Sequence, residues 1–304
     1  MRTGARLALF GAGLIVAFGG AFGIAAAVAP DDIVAASDEG NEMNEHGDGH
    51  ETESAESAPE LAAALKGLAI SIDGYVLSPV EAPAVVGEVG ELSFRIEDAA
   101  GDPVTDYATS HDKQLHLIVV RSDGTGFRHV HPELDDSTGT WSLPWEWTDA
   151  GTYRVFADFT PAGGEGITLS RTVQVAGDFA PVASAPSQVD EVDGFTVSLE
   201  GQVVAGSASE LTISVSRDGE PVTTLEPYLG AFGHLVALRE GDLAFLHVHA
   251  EGDEPQAGDT AGPEITFFAE APTAGRYLLY LDFQVDGEVH TASFVIDAEH
   301  GDHS

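Results

Sequence analysis

The stretch AGTYRVFADF at residues 150–159 returns as AGRYLLYLDF at residues 274–283. An Ala-Gly pair is followed by β-branched and aromatic residues in the first copy and by leucine and aromatic residues in the second, a pattern that is typical of a strand in a β-sandwich. Earlier matches have a nearly constant offset, which drifts from 120 to 118 residues. They are IDGYVLS and VDGFTVS (72–78 and 192–198), ELSF and ELTI (91–94 and 210–213), and PVT (103–105 and 221–223). The slow drift indicates an internal repeat, whose second copy carries an insertion around residues 251–262.

Each copy has the size and rhythm of an immunoglobulin-like domain, with about 110 residues and about seven short strand-like runs. The chain is therefore predicted to be all-β, with two tandem immunoglobulin-like β-sandwich domains. The predicted order is a signal anchor (1–30), a disordered acidic tether with histidines (31–60), a first sandwich (61–178), a linker (179–188), a second sandwich (189–297), and an acidic tail with histidines (298–304).

The composition argues against several classes of function. The chain has 51 acidic and 12 basic residues, a formal net charge of −39, and such a surface repels nucleic acid. Salt adaptation is an alternative explanation of this acidity. There is no cysteine, and the two methionines are Met1 and Met43. A metal site would therefore use imidazole, carboxylate and backbone oxygen ligands, which favours Cu(II), Zn(II) or Ni(II) over Cu(I).

The N-terminus has the pattern of an export segment. Arg2 and Arg6 precede an uncharged run at residues 7–29, and a bilayer core requires about 20 apolar residues. Because Pro30 would hinder signal peptidase, the run is predicted to be an uncleaved transmembrane anchor, with the arginines inside and the rest of the chain outside the cytoplasm. Cleavage nearby, which would give a secreted protein, is the alternative.

Two His-Val-His motifs are the most informative chemical feature. The motif at 129–131 follows His116, and the motif at 247–249 follows His234 at the same distance. Alternate residues of a strand lie on one face, and three imidazoles that converge can bind an ion with bonds of about 2.0–2.1 Å. The predicted metal ligands are His116, His129, His131, His234, His247 and His249, with Glu133 and Glu251 as candidate fourth ligands.

A hairpin would bring each earlier histidine to its motif. In the second repeat, a two-residue turn at Gly241 and Asp242 gives paired residues that sum to 483, so that His234 lies opposite 249. In the first repeat, a turn centred between 123 and 124 gives a sum of 247, which places His116 opposite 131. Opposed Cβ atoms are about 4.5–5.5 Å apart. One metal site in each sandwich is therefore predicted.

Some neighbouring residues support other interpretations. The strand is expected to end at Pro132, which weakens the placement of Glu133 beside the triad. Asp158 and Asp282 recur in FADF and YLDF. They are interpreted as buried or edge carboxylates that cap turns, with metal ligation as the alternative. The remaining recurrent pair, Tyr153 and Tyr277, is interpreted as core or corner tyrosines.

The histidines also have a structural alternative, because apolar residues such as Ile118, Phe127, Val236 and Phe245 share their face. Packing histidines of a duplicated ancestor would make the protein a metal-free interaction module of the cell envelope. A third alternative is a metal-dependent enzyme, since three histidines with an open position resemble a catalytic site. No general base is placed beside the triads, and we expect no enzymatic activity.

The acidic tails contain four further histidines, His46, His50, His300 and His303. Flexible segments of this composition collect divalent ions loosely, and a solvated acidic spacer is the alternative.

The segments HDKQLHLIVVRSD, FRHVHPEL and AGTYRVFADF, with YLGAFGHLVALREGDLAFLHVHAEG and GEVHTASF, resemble those of secreted or membrane-anchored bacterial proteins of uncharacterised function. That group is loosely described as heavy-metal-binding or copper-handling. The resemblance covers most of the chain after residue 60 and implies an immunoglobulin-like, cupredoxin-related fold outside the cytoplasm. Together, these observations predict an anchored extracytoplasmic protein that binds a copper or zinc ion for delivery or buffering, with another envelope protein as a candidate partner.

Overall fold

The computed structural model describes residues 67–252, 254–256 and 258–301, without the side chains of His247 and His249. Within these residues the chain forms strands, turns and loops and no helix. The prediction of an all-β protein with two tandem immunoglobulin-like β-sandwiches is confirmed. The predicted anchor (1–30) and tether (31–60) lie outside the described residues, and no helix among those described is long and apolar enough to cross a membrane.

The first repeat is a sandwich of two antiparallel sheets. Its strands are β1 (Ser71–Ile72), β2 (Tyr75–Leu77), β3 (Gly90–Glu97), β4 (Tyr107–Ala108), β5 (Leu115–Arg121), β6 (Arg128–Val130), β7 (Glu133–Asp135), β8 (Thr140–Trp145), β9 (Gly151–Pro161) and β10 (Ile167–Val175). One sheet has the order β1-β2-β3-β8-β7, and the other has the order β10-β9-β5-β6, with β4 beside β9. Their inner faces enclose a core that includes Leu92, Trp141 and Phe159.

The second repeat has the same two layers. Its strands are β11 (Val189–Val192), β12 (Phe195–Gly201), β13 (Ala208–Arg217), β14 (Glu220–Pro221), β15 (His234–Arg239), β16 (Phe245–Ala250), β17 (Glu264–Glu270), β18 (Gly275–Val285) and β19 (Glu288–Ala298). They follow one another in the order β11-β12-β13-β17-β16-β15-β18-β19, with β14 beside β13. The strand β16 joins the layers because its start pairs with β15 and its end pairs with β17. The core between the layers includes Phe195, Phe267 and Phe283.

The strand that joins the layers is broken in only one repeat, and the sequence explains the difference. In the first repeat, β6 and β7 are separate strands with Pro132 between them, because proline has no N–H to donate to a sheet. The corresponding residue of the second repeat is Ala250, and β16 runs unbroken to it. The expectation that the strand ends at Pro132 is confirmed.

Two tyrosines fix corresponding corners of the sandwiches. The hydroxyl of Tyr153 donates to the carbonyl oxygen of Asp149 (2.9 Å), and the hydroxyl of Tyr277 donates to that of Thr273 (2.8 Å). A buried tyrosine that bonds to the backbone a few residues upstream is a hallmark of immunoglobulin-like sandwiches. The interpretation of this recurrent pair as corner tyrosines is therefore confirmed.

The two sandwiches pack against each other through a third apolar cluster, which we call the shared face. The strand β5 is buried at every position, because Leu117 and Val119 point into their own core whereas Ile118 and Val120 contact the second repeat. The shared face consists of Ile118, Val120, Phe156, Val236, Leu238, Leu243, Leu278 and Tyr280, with Phe127, Phe245 and Val295 packed on it. The repeats are therefore joined by a buried apolar interface in addition to the linker.

Asp123 anchors both the first hairpin and the segment between the repeats. Its carboxylate accepts hydrogen bonds from Nε and Nη2 of Arg121 (2.9 and 2.8 Å) and from the backbone N–H of Val182 (2.8 Å). Burial by itself would raise the pKa of Asp123, but the hydrogen bonds from Arg121, Val182 and Thr125 lower that pKa to about 2. The carboxylate therefore stays ionised beside the buried guanidinium.

Asp123→Asn is expected to lower the free energy of unfolding by about 1–3 kcal/mol, because the guanidinium of Arg121 loses its charged acceptor. The segment that contains Val182 should also be cleaved faster in limited proteolysis, since its anchor is weakened. Urea unfolding measures the first effect, with exposed Asp136 changed to Asn as the control, for which a change within about 0.5 kcal/mol is expected. Equal stability of the two variants would contradict this account.

Candidate metal centre

The first histidine triad lies at one end of the shared face. His116 is on β5 opposite Asp158 of β9, and His129 is on β6 opposite Ile118 of β5. The paired residues of β5 and β6 sum to 247, which is the predicted register. Continued by one residue, this register places His116 opposite His131, and the centroids of their rings are 4.9 Å apart.

Three ring nitrogens of this triad converge. Nδ1 of His116 lies 3.0 Å from Nε2 of His129 and 3.2 Å from Nε2 of His131, and one ligand atom of each residue lies within 4.8 Å of the others. Atoms that bind one ion tetrahedrally with bonds of about 2.0–2.1 Å are about 3.3–3.4 Å apart. The separations are therefore close to those that a small divalent ion requires.

The outer nitrogens of two of these rings have fixed partners. Nε2 of His116 lies 3.0 Å from the carbonyl oxygen of Ser110, which only accepts, so the neutral ring has its proton on Nε2 and a lone pair on Nδ1. Nδ1 of His129 lies 2.8 Å from Oδ2 of Asp282, which belongs to β18 of the second repeat. Metal-bound histidines almost always donate their other N–H to a carboxylate, a carbonyl or water. Both outer contacts are of that kind.

Whether the inner contacts can all be hydrogen bonds depends on the protonation of Asp282. When the Nδ1–H of His129 donates to ionised Asp282, its Nε2 carries a lone pair, and that lone pair faces the lone pair on Nδ1 of His116 at 3.0 Å. His131 reaches the same nitrogen of His116 from another direction. A cation among the three nitrogens replaces this repulsion by coordination.

Burial keeps the imidazoles neutral. Desolvation, assisted by His116, lowers the pKa of His129 to about 3, and desolvation with the nearby histidines lowers the pKa of His131 to about 3. Desolvation also raises the pKa of Asp282 to about 7, against the hydrogen bond that it accepts from Thr291. Because the neutral imidazole is the form that binds a metal, the triad has the right protonation state at neutral pH.

His234 of the second repeat lies in the same cluster. Its ring centroid is 4.9 Å from that of His129 and 5.7 Å from that of His116, to which its ring is parallel within 3°. His234 pairs with Asp282 across β15 and β18, and burial, followed by the neighbouring histidines, lowers its pKa well below the ordinary value. The exposed His111 lies 5.6 Å from it, centroid to centroid. The structure therefore brings His234 to the first triad.

The second hairpin differs from its prediction beyond the first pairs. Its pairs, Ala237 with Leu246 and Leu238 with Phe245, sum to 483 as predicted. The turn is wider than the predicted two residues, because β15 ends at Arg239 and β16 begins at Phe245. From 247 onward β16 pairs with β17, so the ladder ends before 234 and 249 and the predicted cross-strand pair of these histidines is not formed. The side chains of His247 and His249 lie outside those described, and their role as ligands stays a prediction.

The two predicted glutamates are placed apart from the converging nitrogens. Glu133 is exposed on β7, which belongs to the opposite sheet of the first sandwich. Glu251 is exposed just after β16. Among the described residues, the set whose ligand atoms converge comprises His116, His129 and His131.

A cleft of about 530 Å³ adjoins the cluster. His116 and His234 lie on its wall together with the acidic residues Asp158, Glu251 and Glu254. Glu251 therefore contributes to the cleft, where its carboxylate attracts cations.

The contact between Asp282 and His129 was not predicted from the sequence. Asp282 is buried, as one interpretation of it held, and it contacts His129, which is 153 residues away. Its recurrence in YLDF, like that of Asp158 in FADF, was the available signal, and both carboxylates accept a hydrogen bond from a threonine of the next strand, Thr291 or Thr168. The contact with His129 follows from the packing of the repeats, which the local pattern does not contain.

A family model described as "Domain of unknown function (DUF8832)" matches the chain twice, at residues 70–177 and 190–300. The two matches together cover more than half of the 304 residues. No curated protein matches the chain.

Solved structures show only distant likeness. A mutant of Salmonella alpha-2-macroglobulin is 17% identical with a TM-score of 0.26, over 74% of this chain and 15% of that one. The Yersinia pseudotuberculosis adhesin InvE is 13% identical with a TM-score of 0.20, over 73% of this chain and 58% of that one. The D0-D1 domain of intimin is 13% identical with a TM-score of 0.21, over 75% of this chain and 98% of that one. The chain thus spans less than two thirds of the length of the alpha-2-macroglobulin and of the adhesin InvE.

Proposed function

We propose that this chain, which belongs to the family described as a domain of unknown function (DUF8832), binds a divalent transition-metal ion through His116, His129 and His131. The observation that carries this proposal is the convergence of one ring nitrogen from each of these three histidines. The other nitrogen of His116 lies against a backbone carbonyl oxygen, and the other nitrogen of His129 lies against a carboxylate. Imidazole ligands without a thiolate suit Zn(II) and Cu(II). Copper or zinc is therefore the proposed ion.

The proposed role is binding, delivery or buffering rather than catalysis. The N-terminal export pattern supports a location outside the cytoplasm, on a membrane anchor or as a secreted protein. The net charge of −39 and the acidic wall of the cleft raise the concentration of cations near the site.

Titration calorimetry of the full chain with Zn(II) and Cu(II) is expected to show a tight site that disappears in the His116→Ala/His129→Ala/His131→Ala variant. The single change His131→Ala, at the least buried of these rings, is expected to weaken binding by at least about 100-fold. Loss of a residue that only orients a ligand already costs about 10–100-fold, and His131 would be a ligand itself.

The matched control replaces the four tail histidines, His46, His50, His300 and His303, by alanine. This tail variant should lose weak binding and retain the tight site. Equal binding by the triad variant and the unchanged chain, with both folded by circular dichroism, would reject the metal site.

A metal-free interaction module of the envelope is the second candidate, and one observation favours it. If Asp282 is protonated, its hydroxyl donates to His129 and the Nε2–H of His129 donates to Nδ1 of His116, so the cluster becomes a hydrogen-bonded clasp between the repeats. In this case the triad variant loses stability and no metal effect is found.

A further inference from the structure

We infer that the metal ion is held jointly by both repeats, with His234 as the fourth ligand and Asp282 as the residue that positions His129. This inference rests on the proposed metal site and adds the second repeat to it. It moves His234 from the second predicted site to the first one, and the role of His247 and His249 stays a prediction.

The position of His234 relative to the triad supports its role as a ligand. Its ring lies 4.9 Å from that of His129 and 5.7 Å from that of His116, compared with 4.9–5.3 Å between the rings of the triad. Its nitrogens are outside the set that converges within 4.8 Å, so the side chain would turn toward the ion on binding. His234 and His116 also line the same cleft. A fourth imidazole there completes the four-coordinate arrangement that zinc prefers in stable sites.

Asp282 links the second repeat to the triad by a different contact. Its two oxygens have separate partners, with Oδ2 at 2.8 Å from Nδ1 of His129 and Oδ1 accepting from the hydroxyl of Thr291. The side chains of His129 and Asp282 are only 1% and 3% exposed. A buried, doubly held carboxylate fixes the orientation of the ring and directs Nε2 of His129 toward the other nitrogens.

The ion would then act as a clamp on the shared face. The first repeat supplies three ligands on β5 and β6, and the second supplies one ligand on β15 and the positioning carboxylate on β18. An ion that binds only the assembled arrangement stabilises the contact between the repeats by mass action.

The test uses the full-length tail variant, loaded with one equivalent of Cu(II), and adds His234→Ala. We expect at least a 10-fold loss of affinity and an electron paramagnetic resonance spectrum with fewer coordinated nitrogens, both restored by millimolar imidazole. Asp282→Asn is expected to weaken binding by about 10–100-fold with a smaller spectral change. His290→Ala is the matched control, because His290 pairs with Asp193 (2.9 Å) outside the cluster, and its affinity and spectrum should be unchanged.

If His234→Ala does not fold, His234→Gln, which retains a polar side chain of similar size, replaces it. Unchanged affinity and spectrum in the folded His234 variant, together with loss of the site in the triad variant, would overturn the joint site and leave the proposed function intact. A tight site that persists in the triad variant would overturn both.

Discussion

Phe156→Ala is expected to lower the free energy of unfolding by about 3–5 kcal/mol, the usual cost of removing a fully buried aromatic ring. Phe156 is 0% exposed and belongs to the shared face rather than to the core of the first sandwich. Its ring meets that of Phe245 edge to face, with centroids 5.7 Å apart. Gly67 approaches it so closely that an added Cβ would lie 3.2 Å from the ring, so little can move in to fill the cavity.

Urea unfolding followed by tryptophan fluorescence and by circular dichroism measures this effect. All three tryptophans, Trp141, Trp145 and Trp147, lie in the first repeat, so fluorescence reports on that repeat and circular dichroism on both. The two signals should coincide for the unchanged chain and separate in Phe156→Ala, because the repeats no longer unfold together. Val89→Ala is the control, since Val89 is 77% exposed, and a loss below about 1 kcal/mol in Phe156→Ala would contradict a packed shared face.

The metal-free protein, with chelator present, is expected to lose stability as the pH falls below about 6.5. His129 has a pKa near 3 in the folded chain and about 6.5 in the unfolded chain. Between these values only the unfolded chain takes up the proton, so the stabilisation is complete above pH 6.5 and is lost on acidification. Burial lowers the pKa values of His116 and His234 in the same direction.

Asp282 opposes this trend. Its pKa is raised to about 7, so the folded chain retains a proton that the unfolded chain releases, and acidification stabilises it. The four histidines with lowered pKa values, His116, His129, His131 and His234, less one aspartate leave a net uptake of about three protons on unfolding, or a slope of about 4.1 kcal/mol per pH unit at most. Other charged groups that act on the cluster, Asp158 and Lys113, partly offset each other.

Urea curves at intervals from pH 7.5 to 5 measure that slope. The variant His129→Gln should reduce it by about one proton, or 1.4 kcal/mol per pH unit, whereas Val89→Ala, which removes no titratable group from an exposed position, should leave it unchanged. A stability that is independent of pH over this range would show that the histidines are not buried as neutral rings.

The sequence predicted the repeat, the strands and the pairing register, because these are local properties. An alternation of side chains and a turn position fix which residues pair. The predicted sum of 247 is found in the first hairpin, and the sum of 483 is found in the pairs of the second hairpin that lie nearest its turn. The contribution of both repeats to one histidine cluster was not predicted, because it depends on how the two folded domains pack against each other. One signal was available, since LHLIVVR in β5 has apolar residues on both faces, as strands that are covered on both sides do.

The second predicted site, His234 with His247 and His249, stays a prediction, because the side chains of the last two lie outside those described. In the structure His234 contacts His129, and Asp282 of β18 reaches across to the same ring. An alignment of the two copies pairs each residue with its counterpart. It does not show that a residue of one copy contacts a residue of the other copy that is not its counterpart.

The shared face, to which both repeats contribute residues, also limits how genes for this protein can be rearranged. Immunoglobulin-like domains are often exchanged as independent modules between proteins, each with its own interior. Here each copy has a second apolar side, made by residues such as Ile118 and Val236, that is covered only by the other copy. Recombination that separated the copies would expose both sides at once, so the pair is expected to be inherited as one indivisible unit.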